Sequence, residues 1–150
     1  MELHLSVMRI LIENLALGLQ FAGFAQLGIA LLNLFIPRLL QWKEDLARMP
    51  LLLREVFQVH AWFISVTLVI FAVMTWRFAG EMASGTNEVG RWLAAGIGLF
   101  WALRTVLQVT YYSASHWRGR PGRTVSHVTL LLLYGGFAAV YLLAGLKSLT

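Results

Sequence analysis

Arg104, Gln108, Tyr111, Tyr112 and Ser115 recur at spacings of three and four, so on a helix they share one face. Gly98 and Trp101 extend that face in the N-terminal direction. Arg104 lies within an otherwise apolar run, Trp92 to Tyr112, long enough to cross a bilayer. A charge at membrane depth is costly and turns toward protein or water, not lipid. Two readings of the stripe follow. In the first, Arg104 bonds to Gln20 or Gln26 of another helix or to a backbone carbonyl, at about 1 kcal/mol per bond. In the second, the stripe lines a pocket for an anionic or polar ligand. Guanidinium stays ionised there and its fork suits carboxylate or phosphate. Glu13 is the only acidic residue deep enough to pair with Arg104, and it belongs near the opposite membrane face.

Three of the four histidines form a second constellation. His60 opens the second apolar run, His116 closes the third and His127 opens the fourth, so topology sends all three toward one side. His60 follows Arg54 by six residues and His127 follows Arg123 by four. At helical rise these are depths of about 9 and about 6 Å below the basic layer. In a sequentially wound bundle the second and fourth helices lie diagonally across the core. A histidine on each is an arrangement that holds haem b. Gly23, Gly28 or Ala114 would leave room for the macrocycle, and Arg118 or Arg123 would neutralise its propionates. A zinc or copper site on His60, His116 and His127 is a further possibility. The bland reading of each histidine is an interfacial ring hydrogen-bonded to water or headgroups. A carboxylate-bridged di-iron site is disfavoured, because Glu55 is the only carboxylate within a span near these histidines.

The segment Tyr111 to Arg123 (YYSASHWRGRPGR) is the densest polar patch. An aromatic belt with positive-inside charge explains its Tyr, Trp and Arg content. It does not require His116, nor the deeper Gln108 and Arg104. The fuller reading is a basic entrance that draws an anionic amphiphile toward Arg104, with Tyr111, Tyr112, His116 and Arg123 along the way.

The elements that must position these residues are membrane helices. The chain has 150 residues, 59% of them hydrophobic and only 13% charged, which is too little charge for an ordinary soluble surface. That length fits one bundle, a single membrane domain over residues 1–150. The absence of cysteine excludes disulfides and thiolate metal sites. The net charge of +5 does not point to nucleic acid, because the bases flank apolar runs.

Four spans are expected: Ile10 to Ile36, stopped by Pro37; Leu51 to Phe78, with Pro50 in its first turn; Val89 to Tyr112; and Thr124 to Leu146. A loop holding Gly80, Ser84, Gly85 and Asn87 separates the second from the third. The N-terminal run reads as a membrane helix and not a cleavable signal. The expected fold is all-α, an up-down-up-down bundle of four transmembrane helices. Between Pro37 and Pro50, Leu39, Leu40, Trp42, Leu46 and Met49 alternate with charges. This predicts a short amphipathic helix in the membrane interface. Gly18, Gly23, Gly28, Gly96, Gly135 and Gly136 are expected where helices pack closely.

Arg38, Lys43, Arg48, Arg54, Arg118, Arg120 and Arg123 fall on one side of the membrane; Arg9, Arg77, Arg91 and Lys147 fall on the other. The positive-inside rule makes the richer side cytoplasmic and puts both termini outside, in the periplasm if this is a bacterial inner membrane. Function then divides three ways. The leading expectation is a non-enzymatic accessory subunit of an inner-membrane complex, or a binder of a lipid, quinone or similar anionic amphiphile. Its partners would be membrane lipids and other membrane subunits or further copies of itself. The alternatives are a redox protein holding haem b or a metal through His60 and His127, and an enzyme acting on an anionic lipid. In the last, His60 or His116 would serve as acid or base, with Arg104 as electrostatic stabiliser.

Overall fold

The computed structural model describes residues 2–39, 42–111 and 121–146. All regular structure among them is helical: α1 Glu2–Leu39, α2 Lys43–Arg48, α3 Leu51–Ser84, α4 Glu88–Thr110 and α5 Pro121–Leu146. α1, α3, α4 and α5 are each long and apolar enough to cross a membrane. The fold is therefore all-α as expected, with four membrane-length helices and a short fifth between the first two.

Several boundaries differ from expectation, and each difference has a local cause. Apolar runs mark where lipid ends, but a helix continues for as long as its hydrogen bonds do. α1 thus begins eight residues before Ile10, at Glu2, whose acidic side chain suits a helix N-terminus. The Arg9 Nε–Glu13 Oε1 pair, 3.1 Å apart and one turn along, braces this exposed stretch. Pro37 does not stop α1 but lies inside its last turn. Proline there loses only one ladder bond, and the Pro37 carbonyl accepts from Trp42 N at 3.0 Å. Pro50 stands just before α3, its carbonyl accepting from Arg54 N at 3.1 Å.

α3 continues through Gly80 to Ser84, so the predicted loop shrinks to Gly85, Thr86 and Asn87. The expected end at Phe78 is instead a kink, where Phe78 adopts φ −117°, ψ 15° inside the helix. Gly85 then turns the chain at φ 68°, a conformation glycine reaches without a Cβ clash. Its N–H bonds back to the Glu81 carbonyl at 3.1 Å. Asn87 starts α4, its side chain accepting from Val89 N at 2.9 Å. Pro121 takes the first position of α5, three residues before the expected start.

The chain forms two compact units. One is Gln20–Arg77; the other combines the chain before Gln20 with the chain after Arg77. In the first, the second half of α1 runs antiparallel to α3. Asn33 Nδ2 donates to the Ala61 carbonyl and to Ser65 Oγ, both at 3.0 Å. Thirteen residues back along α1, the Gln20 carbonyl accepts from Trp76 Nε1 at 3.3 Å. The Trp42 ring meets the Phe57 ring edge-on at 6.3 Å, which ties the α2 segment to α3.

In the second unit α4 and α5 form an antiparallel hairpin. A Cβ on Gly98 would lie 2.9 Å from Leu142, and one on Gly145 only 2.8 Å from the Ala95 nitrogen. A Cβ on Gly90 would lie 3.0 Å from the Glu81 backbone across the α3–α4 turn. Close approach therefore rests on Gly90, Gly98 and Gly145. Among the glycines expected to serve it, only Gly23 does, against the Trp76 indole; Gly28, Gly96, Gly135 and Gly136 face open space, and Gly18 has one ordinary contact at 3.9 Å. A sequence shows which residues are small, but not which side of the helix the neighbour occupies.

Candidate functional site

The α4–α5 hairpin positions the densest set of polar and aromatic side chains described in the chain. Ile97, Gly98, Trp101 and Gln108 are buried along one face of α4, with Arg104 half-buried among them. Opposite them on α5, His127, Tyr134 and Tyr141 recur every seven residues, which keeps them on the seam facing α4. Tyr134 and Tyr141 are buried and His127 is half-buried.

Trp101 anchors the seam. Its ring stacks on Tyr134 at 5.2 Å between centroids and meets Phe137 at 4.8 Å. One turn further along α4, the Arg104 guanidinium lies 4.7 Å from the centre of the Tyr134 ring. A cation over an aromatic face gains about 0.5–2 kcal/mol depending on its desolvation. A charge at the centre of a membrane helix costs about 2.5–3.5 kcal/mol. Tyr134 therefore offsets part of that cost and fixes the direction of the guanidinium. Arg104 stands six residues before the end of α4, about 9 Å along the axis.

One turn beyond Arg104, Gln108 is only 5% exposed. Its Nε2 lies 2.9 Å from His127 Nδ1. With the amide nitrogen donating, Nδ1 is the accepting nitrogen and the imidazole proton resides on Nε2. Gln108 Oε1 is buried and has no hydrogen-bond partner among the described residues. A buried acceptor left in this state costs about 1–3 kcal/mol. It is thus the one part of the stripe whose chemistry is incomplete within the described residues.

The predicted ligand stripe is divided by this geometry. Arg104 and Gln108 turn inward as expected. Tyr111 caps α4 and is 80% exposed, so it lies outside the seam. Arg123, in the first turn of α5, is also exposed. Tyr112 and His116 lie outside the described residues, together with Ser115, Arg118 and Arg120. Of the glutamines offered as structural partners, Gln26 Nε2 donates to the Ala22 carbonyl of its own helix, and the Gln20 carbonyl accepts from Trp76 Nε1. Glu13 pairs with Arg9.

Of the two histidines in the haem alternative, His127 lies against Gln108, its Nδ1 2.9 Å from Gln108 Nε2. His60 is exposed on α3, beside an open groove lined by Leu52, Glu55, Val56, Val59 and Phe63. The space at Gly23, expected to admit a macrocycle, is filled by Trp76. Among the described residues no three of His, Asp and Glu gather at metal-binding distance, and His116 is outside that set.

Tyr134 and Phe137 were not expected at the site, because aromatics in an apolar span read as core. The seven-residue spacing of His127, Tyr134 and Tyr141 is the signal that could have found the first. No known protein family matches the chain, and no curated protein or solved structure matches it either.

Proposed function

We propose that this chain is a small polytopic membrane protein that binds the polar end of an amphiphile at the α4–α5 seam. Gln108, Arg104 and His127 are the polar contacts, and Tyr134 and Trp101 are the rigid aromatic floor. The observation that carries the reading is the Gln108 acceptor, buried without a hydrogen-bond partner among the described residues, next to a histidine it already engages and one turn from a cation. A seam used for packing alone gains nothing from an unsatisfied amide, and Leu or Met would fill the same volume without that loss. Cation, acceptor and imidazole together suit a lipid or quinone headgroup better than an apolar tail.

In this reading the membrane is a bacterial inner membrane, and the distribution of Arg and Lys between its two sides supports both termini on the periplasmic side. The protein serves as an accessory subunit or carrier, not as the catalyst. α3 supports association with further membrane subunits. Only 17% of its most apolar stretch is buried, the least of the four spans, and it exposes Glu55, Gln58 and His60 as well as apolar side chains. Ionisable groups in a span turn toward protein or water.

The test is purification in a mild detergent from native membranes, followed by mass spectrometry of the extracted small molecules. The reading expects one class of amphiphile to co-purify with the wild-type chain and to be depleted in Arg104→Leu. Equal retention by a folded Arg104→Leu protein would reduce Arg104 to a packing residue.

A further inference from the structure

We infer that the amphiphile bound at the α4–α5 seam carries a hydroxyl on its headgroup, and that this hydroxyl donates to Gln108 Oε1. The inference rests on the proposed binding function and narrows its ligand. Gln108 has two hydrogen-bonding ends. The nitrogen end is engaged by His127 Nδ1 at 2.9 Å, and the oxygen end is buried without a partner among the described residues. An amide oxygen only accepts. Whatever satisfies it must therefore present an O–H or N–H, and a bare carbonyl or a headgroup with only ionised oxygens cannot.

The surroundings choose the hydroxyl. Arg104, one turn away over Tyr134, makes the local field positive. An ammonium headgroup, the commonest N–H donor among lipids, is repelled by that charge. A neutral or anionic group bearing O–H is not. Oε1 shows no surface to solvent, so the donor reaches it through a small turn of the amide about its terminal torsion, which is broad and soft in glutamine. Gln108 is four residues from the end of the apolar run at Tyr112, about 6 Å along the axis, which is within reach of a headgroup hydroxyl.

Two classes of amphiphile with this chemistry serve as probes. One is the reduced, hydroquinone form of a quinone, whose phenolic O–H is lost on oxidation. The other is a phosphodiester lipid with a polyol headgroup. The probes are matched pairs that differ in the hydroxyl: a decyl hydroquinone against its quinone, and phosphatidylglycerol against phosphatidylethanol, which keeps the charge but lacks the hydroxyls. Binding is measured to the full chain in nanodiscs of zwitterionic lipid. An unsatisfied buried acceptor predicts that the hydroxylated member of one pair binds about tenfold tighter. The pair that discriminates identifies the source. Gln108→Met should abolish the difference, and Gln108→Glu, which keeps an acceptor, should retain it. Circular dichroism of both variants checks that the helices persist. Binding without discrimination in either pair, still weakened by Arg104→Leu, overturns the hydroxyl inference but leaves the binding function standing. Tighter binding of the quinone or of phosphatidylethanol also overturns it. No saturable binding of any of the four probes overturns both.

Discussion

The Arg104 guanidinium lies 4.7 Å from the centre of the Tyr134 ring, and the same ring is stacked on Trp101. The charge that looked isolated in the sequence is thus seated on an aromatic pair contributed by two helices. A double-mutant cycle of Arg104→Met and Tyr134→Leu, read by unfolding in bicelles, should give a coupling of about 0.5–1 kcal/mol. Strict additivity of the two substitutions would mean that the guanidinium gains nothing from the ring.

The hairpin that carries the site depends on two glycines. Leu142 and the Ala95 backbone already occupy the space where side chains on Gly98 and Gly145 would go. Gly145→Val should destabilise the bundle by about 1–3 kcal/mol, because backbone must move to admit it. Gly96→Ala, with nothing within 4 Å, should cost nothing measurable in the same assay. Equal sensitivity at both positions would be incompatible with the α4–α5 contact described above.

In the other unit, Asn33 bridges α1 to α3 through the Ala61 carbonyl and Ser65 Oγ. Ser65 Oγ also donates to the Ala61 carbonyl, so Asn33→Ala strands neither group. Its expected loss is therefore modest, about 0.6–1.7 kcal/mol, as for other interhelical bonds in membranes. Amphiphile binding at the α4–α5 seam should be unaffected. A variant that lost the ligand while keeping its helices would show that Asn33 acts on the site.

Topology is open to direct labelling, since the chain has no cysteine of its own. Ala47→Cys in α2 and Thr86→Cys in the α3–α4 turn are both at exposed positions. In intact spheroplasts an impermeant maleimide should label Thr86→Cys and should reach Ala47→Cys only after lysis. The opposite pattern would invert the proposed orientation.

Much of the fold was legible because membrane helices announce themselves by composition over about 20 residues, a signal that needs no tertiary context. The α2 segment was legible for a related reason: its apolar and charged residues are interleaved between two prolines. Helix ends were less legible. At Phe78 the apolar run stops but the hydrogen bonds resume after a kink, and the sequence has no symbol for that difference. The site was half legible. Arg104 and Gln108 stood out as polar groups inside a span, whereas Tyr134, which holds Arg104, looked like any other buried aromatic. The contact between Gln108 and His127 was not read, and His127 entered only through the haem alternative, because spacing within a helix is visible in a sequence and register between helices is not. The same limit applied to the glycines. Gly98 was noticed as part of the stripe, while Gly145 became significant only once Ala95 was seen against it.

The most direct test of the central claim is the amphiphile content of Gln108→Met. This substitution removes the buried acceptor while keeping the length of the side chain. The protein, purified from native membranes beside the wild type and shown to retain its helices, is extracted and its bound small molecules are quantified. A functional seam predicts that an amphiphile bound by the wild type is depleted in the variant, its affinity lowered about tenfold. Undiminished occupancy in a folded Gln108→Met protein would contradict it and remove Gln108 from the binding contacts.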